Sequence, residues 1–309
     1  MSPRRELLIS AMTGALLLVC GPAFGQPAQP GSPPFETRVK DVARALQGNP
    51  YLTNLSERQR MDRVEFVISN TLFVLLHEIA HVMVDEMNLP VLGREEDVAD
   101  TFAALTMLKM GTSFSARVLA LASKGWFLND RRDRETGAEP IYYGEHNLSQ
   151  QRAYQIVCLM VGSDSVKFKS LADGAKMPEY RQESCKEDFA TLTRSWDDVL
   201  KPHRRTLDQP QTKIDVVYRE AEGTLGVFAE SFRSVQILEA VAERATDLAW
   251  PKPFSIEMRS CGRPEAAWAD KTRTIRICYE LPFDFAQLHI AYESERPATN
   301  PKRKRTRKN

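Results

Sequence analysis

His77, Glu78 and His81 stand in the order H-E-x-x-H, a spacing that can do hydrolytic chemistry around a metal ion. On a helix, side chains four residues apart lie one above the other, about one turn apart, so both imidazoles can reach the same ion. Glu78, beside the first of them, can then reach a water at that ion and take its proton. The plain alternative is a helix with two core histidines and a solvated glutamate. Five residues with three fixed letters arise by chance in roughly one chain of this length in a few hundred, so the surroundings must decide.

The elements around the motif favour a metal. Residues 62–87 contain neither Gly nor Pro and are apolar almost all round in the middle, which predicts a helix buried inside a domain. His77, Glu78 and His81 interrupt that run, and burying them costs several kcal/mol unless they are paired. The apolar stretch between Asn70 and Met83 is too short and too polar to read as a membrane span. Asn88–Gly93 then reads as a turn, and a second helical pattern starts at Arg94 and runs through Phe102, Leu105 and Leu108. Glu96 and Asp100, four apart, share one face of it. Glu96 is expected as the third ligand and Asp100 as the acceptor that fixes the tautomer of a ligand histidine. An acidic first turn favoured by the helix dipole explains Glu95 and Asp97 but not Asp100. Glu95, Asp97 and Asp85 are lesser candidates for the third ligand.

Spelling sorts the zinc hydrolases. The extended metzincin motif needs Gly and His where this chain has Val84 and Met87, which excludes that class. Glu-x-x-x-Asp after H-E-x-x-H resembles the gluzincin arrangement. More specifically, HEIAHVMVDEMNLPVLGREEDVADTFAALTML, then EHNLSQQRAYQIVCLMVGSD, Cys185 and SWDDVLKPH resemble the metallopeptidase family labelled domain of unknown function 4344. The resemblance covers most of residues 62–204. It implies a zinc-peptidase fold with His77, His81 and Glu96 as ligands of one catalytic Zn2+ and Glu78 as the base, and it implies no known substrate. Residues 254–281 resemble a cysteine-bracketed hairpin of the same family, which is expected to fold back beside the catalytic helix.

Attack on a peptide carbonyl makes an oxyanion that needs a donor besides the metal. His146, in the segment IYYGEHNLSQQR, is expected in that role, with Tyr143 as the alternative; Asn147 and Ser149 could equally just cap the following helix. His203 and His289 lack comparable neighbours and receive no role.

The ends of the chain concern compartment. Arg4 and Arg5, an apolar run from Leu7 to Val19 and Ala23-Phe24-Gly25 read as a secretory signal cleaved after Gly25, placing the protein in the periplasm or outside the cell. Val19 before Cys20 argues against a lipoprotein. Cys158, Cys185, Cys261 and Cys278 remain, an even number as an oxidising compartment favours. Sequential pairing, Cys158 with Cys185 and Cys261 with Cys278, is the simplest of the three possible and would stabilise by roughly 3 kcal/mol per bridge. A cysteine zinc site is the rival, without any C-x-x-C pair to support it. The formal net charge is +1. The tail PKRKRTRKN is expected to be disordered and solvated, with an anionic envelope surface as the contact its charge suits; without interleaved aromatics it predicts no nucleic-acid partner.

These readings divide the chain into a signal peptide (1–25), a linker (26–34), a helical metallopeptidase region (35–211), a strand-containing C-terminal region packed on it (212–292) and a basic tail (293–309). The expected fold is α+β and mainly helical, with a zincin-like catalytic helix and a small sheet or hairpin from the C-terminal region. Residues 125–145 read as a charged loop, 148–161 and 189–200 as helices, 213–218 and the two arms around Cys261 and Cys278 as strands, and 227–248 as one helix. The expected activity is hydrolysis of a peptide or protein substrate. The alternatives are a zinc-binding hydrolase of another kind, or a catalytically idle binding protein of the cell envelope.

Overall fold

The computed structural model describes residues 35–46, 49, 52 and 55–293. The expected signal peptide, the linker and the basic tail from 294 onward lie outside the described residues. After a first helix, α1 (Phe35–Ala45), the apolar run becomes one long helix, α2 (Glu57–Glu86). Its start is set by a capping box: Ser56 Oγ accepts from the Gln59 backbone N–H at 3.3 Å, and Gln59 Oε1 accepts from the Ser56 N–H at 3.0 Å. By length and composition α2 could cross a membrane, contrary to the sequence reading, but its apolar stretch is mostly buried within the protein. It packs against α1, α3, α4, α9, α10 and the strands β3 and β4, as the core helix of an ordinary domain does.

The end of α2 determines where the second half of the motif goes. Asn88 takes a left-handed conformation, φ 50°, which Asn tolerates because its side chain can bond locally. The Leu89 N–H then returns to the Val84 carbonyl at 3.1 Å, closing the last turn as a Schellman motif does. The chain reverses, and α3 (Glu95–Met110) runs back along α2 with Glu95, Glu96 and Asp97 in its first turn. Gly111, at φ 65°, ends it.

Helix α4 (Ser113–Thr136) corrects the expectation of a loop from residue 125. Its charged end stays helical because Arg131–Glu135 and Arg134–Asp130 pair at four-residue spacing and Arg132 reaches Asp284, which gives a polar helix face the support it lacks in apolar burial. Gly125 permits the close crossing of α4 over α2. A Cβ there would stand 2.0 Å from Asn70 Oδ1. Beyond a loop come α5 (Ser149–Ser163), α6 (Lys169–Gly174) and α7 (Glu179–Leu200). Helices α5 and α7 touch at Gly162, where a Cβ would meet the Cys185 carbonyl oxygen at 2.2 Å, and the Cys158–Cys185 disulfide joins them.

The C-terminal part adds β1 (Ile214–Tyr218), α8 (Gly223–Val235), α9 (Ile237–Ala245), β2 (Phe254–Arg259), β3 (Ala266–Ala269), β4 (Thr274–Cys278) and α10 (Glu280–Glu293). The single helix expected over 227–248 is two, broken at Gln236, which sits at φ 55°. The sheet has the order β1-β2-β4-β3. Strands β2 and β4, the two arms expected to form a hairpin, are instead parallel neighbours, and the antiparallel hairpin is β3–β4. The Cys261–Cys278 disulfide fastens the ends of β2 and β4. The result is an α+β fold, mainly helical, with its small sheet late in the chain and the edge strand β3 laid against α2.

Candidate metal centre

Helix geometry brings the two ring nitrogens of the motif together: His77 Nε2 and His81 Nε2 are 3.0 Å apart. From α3, Glu96 sends Oε2 to 3.0 Å from His77 Nε2 and Oε1 to 3.6 Å from His81 Nε2. Ligand bonds of 2.0–2.2 Å in a tetrahedral zinc site require donors about 3.3 Å apart, and these three separations straddle that value. Glu96 Oε2 is also buried without an aligned hydrogen bond, although the ring nitrogens of His77 and His146 stand 3.0 and 2.8 Å from it. A buried carboxylate oxygen left in that condition is costly, and a cation shared with the imidazoles would satisfy it. The donor set, two imidazoles and a carboxylate, suits zinc.

Each ligand candidate is held from behind. His77 is buried, and its Nδ1 lies 2.9 Å from Asp100 Oδ1. His81 Nδ1 lies 2.7 Å from Glu95 Oε1. A carboxylate oxygen can only accept, so in both rings Nδ1 carries the hydrogen and Nε2 is turned to the common point. Burial alone would discourage charge on these rings. Against it, the carboxylates of Asp100 and Glu96 hold the pKa of His77 above the usual value, and those of Glu96 and Glu95 raise that of His81 to about 9. Glu96, despite its burial, is held far below the carboxylate range by the three surrounding imidazoles. The carboxylates thus draw positive charge into this spot.

Glu78 is buried one residue along from His77, and that burial pushes its pKa up, with the nearby histidines pulling the other way. The backbone of Trp268, on β3, comes near its carboxylate and also favours the charged form. The hairpin from the C-terminal region therefore lies beside the motif helix. Trp268 also anchors itself through Nε1, which donates to Asp85 Oδ2 at 2.8 Å.

The loop ahead of α5 brings His146 to Glu96 because its neighbour is tied down: Asn147 accepts from Arg94 Nη1 at 2.7 Å and donates through Nδ2 to Asp97 Oδ1. Asn147 thus joins the loop to the start of α3 and does not cap α5, while Ser149 accepts from Asn129 Nδ2 at 2.8 Å. His77, Glu96 and His146 form a group whose donor atoms all lie within 4.8 Å. Tyr143 is 92% exposed, and no described contact brings it to this group. Of the lesser candidates, Glu95 lies behind His81, while Asp85 and Asp97 are engaged by Trp268 and Asn147.

Sequence reasoning missed Trp268 and Arg152. Arg152, on α5, is buried and grips both oxygens of Asp100, Nε to Oδ2 and Nη2 to Oδ1, each at 2.7 Å. Its presence on the stripe it shares with the buried Ile156 and Leu159, where a cation is out of place, is the signal that could have found it.

A family model, DUF4344, described as "Putative metallopeptidase", matches residues 43–200, a span that holds every residue of this centre except Trp268. No curated protein and no solved structure matches the chain.

Proposed function

The chain belongs to the DUF4344 family, and on that premise we propose that it is an exported zinc peptidase with His77, His81 and Glu96 as the metal ligands. The observation that carries the reading is the convergence of His77 Nε2, His81 Nε2 and the Glu96 carboxylate, whose Oε2 is buried without an aligned hydrogen bond, at the spacings of a tetrahedral site. Zinc bound there would polarise a carbonyl and make water a nucleophile at neutral pH. Glu78, buried beside His77, takes a proton from the attacking water and returns it to the leaving amine. His146 donates from Nε2 to the carbonyl oxygen as it gains charge.

A peptide is favoured as substrate by the strand next to Glu78. The Cys278 N–H donates to the Glu265 carbonyl at 2.9 Å, so by the alternation of an antiparallel pair Ala266 and Trp268 turn their backbone groups away from β4. Those of Ala266 and the Trp268 carbonyl are the groups an extended chain would meet as an added strand. Export is supported by the composition of residues 1–25 and by the two disulfides.

A second reading has one observation behind it. If His146 completed the coordination with His77 and Glu96, four protein donors would close the site, as in a structural or idle zinc protein. Metal analysis of the purified and zinc-reconstituted protein tests both: the proposal expects about one zinc per chain and its loss when His77, His81 or Glu96 becomes Ala. Cleavage of mixed quenched-fluorescence peptides by the loaded protein, abolished by chelation, separates a peptidase from an idle site. Absence of zinc after reconstitution would remove the proposal.

A further inference from the structure

We infer that Arg152 is a positioning residue for the metal centre: seated on Trp126, it clamps Asp100 so that Asp100 accepts from His77 Nδ1 and leaves His77 Nε2 as the donor to the metal. The inference rests on the zinc reading above and adds to it a chain of contacts through four elements. The guanidinium carbon of Arg152 lies 3.7 Å from the centre of the Trp126 ring, a cation–π seat on α4. From there its fork engages both Asp100 oxygens on α3, and Asp100 Oδ1 faces His77 on α2 at 2.9 Å.

The geometry distinguishes this from a tie between two helices. Helices α5 and α3 already have such a tie one turn further on, where Gln155 Nε2 donates to Thr101 Oγ1 at 2.8 Å. Arg152 and Asp100 are both buried, 8% and 3% exposed, where an ion pair yields little net stability compared with apolar packing. What the pair supplies is direction. A planar fork fixes the plane of a carboxylate in a way that a point charge cannot, and the plane of Asp100 sets the direction in which His77 is held. The register is made possible by Gly125, whose lack of a side chain lets α4 approach α2 and place Trp126 beneath the guanidinium.

The test is zinc affinity, by competition with a chromophoric chelator, together with the His77 Nδ1–H resonance of 15N-histidine-labelled, zinc-loaded protein. Wild type should bind zinc and show a slowly exchanging Nδ1–H on His77. Arg152→Gln, and Arg152→Lys, which keeps the charge without the fork, should each weaken zinc binding by about 10–100-fold and make that proton exchange faster. If the folded Arg152 variants bind zinc as tightly as wild type, the inference is wrong. Should both fail to fold, Trp126→Leu, which loosens the seat and leaves the ion pair, carries the test: a several-fold loss of affinity with faster Nδ1–H exchange supports the inference, and unchanged values overturn it. Wild-type protein that takes up no zinc overturns the zinc reading itself, and the inference with it.

Discussion

Glu78→Gln should separate chemistry from metal binding. Glu78 is buried, next to two histidines that both point Nε2 at Glu96, and it is not one of the three donors at tetrahedral spacing. Glutamine has the same shape and keeps one oxygen, but it cannot take a proton. A positioned general base contributes 10²–10⁴-fold, so the change should raise the barrier by about 3–5 kcal/mol, at 1.36 kcal/mol for each factor of ten. Stability should change little, within about 1 kcal/mol. The neutral amide escapes the burial penalty that raises the Glu78 pKa, and it forgoes the attraction of the histidines that opposes it. The measurements are zinc content, thermal midpoint and initial cleavage rates of quenched-fluorescence peptides by zinc-loaded wild type and variant. Cleavage within tenfold of wild type, with zinc retained, would show that the base lies elsewhere. Loss of zinc in step with activity would make Glu78 a ligand and refute the assignment of Glu96 as the third donor.

Asn147→Ala removes the bonds to Arg94 and Asp97 that hold the His146 loop; cleavage should fall by roughly tenfold at unchanged zinc content, and lost zinc would instead make the loop part of the metal site. Gly162→Ala places a methyl 2.2 Å from the Cys185 carbonyl oxygen, a backbone atom that no rotamer can move, so denaturant titration should show a loss of about 1–3 kcal/mol; an unchanged midpoint would mean that α5 and α7 separate freely. Serine at both Cys158 and Cys185 should cost about 3–4 kcal/mol on the loop-entropy argument, read from urea unfolding. Burial pushes the Tyr279 phenol up to about 12, while its hydroxyl donates to the Arg219 carbonyl at 2.8 Å. A pKa raised on folding means a contribution present below pH 10 and lost between about pH 10 and 12, on the order of 2 kcal/mol; Tyr279→Phe should flatten the fall of stability across that window, and an identical slope would contradict the assignment.

What could be read from the sequence lies within single elements. The spacing of His77 and His81, and of Glu96 and Asp100, carries the same meaning wherever their helices go, because a helix repeats every 3.6 residues and puts such pairs on one face. The turn between them was legible in Asn88 and Pro90 for the same local reason, as were the sequential cysteine pairs and the late position of the strands. Even local reading failed where helix support comes from outside a motif: the charged end of α4 reads as a loop until Arg132 is seen reaching Asp284 on α10. The rest is contact between elements, which no local period encodes. Asn147 looks like a cap until its side chain crosses to Asp97 and Arg94, and it is this crossing that delivers His146 to Glu96. Arg152 becomes part of the centre only because Gly125 lets α4 set Trp126 beneath it. Trp268, 190 residues after Glu78, comes beside that carboxylate because the edge strand β3 packs against α2. The helix period therefore determined which residues could share an ion, and tertiary packing decided which groups hold them in place, because a hydrogen bond acts over about 3 Å regardless of how far apart its partners lie along the chain.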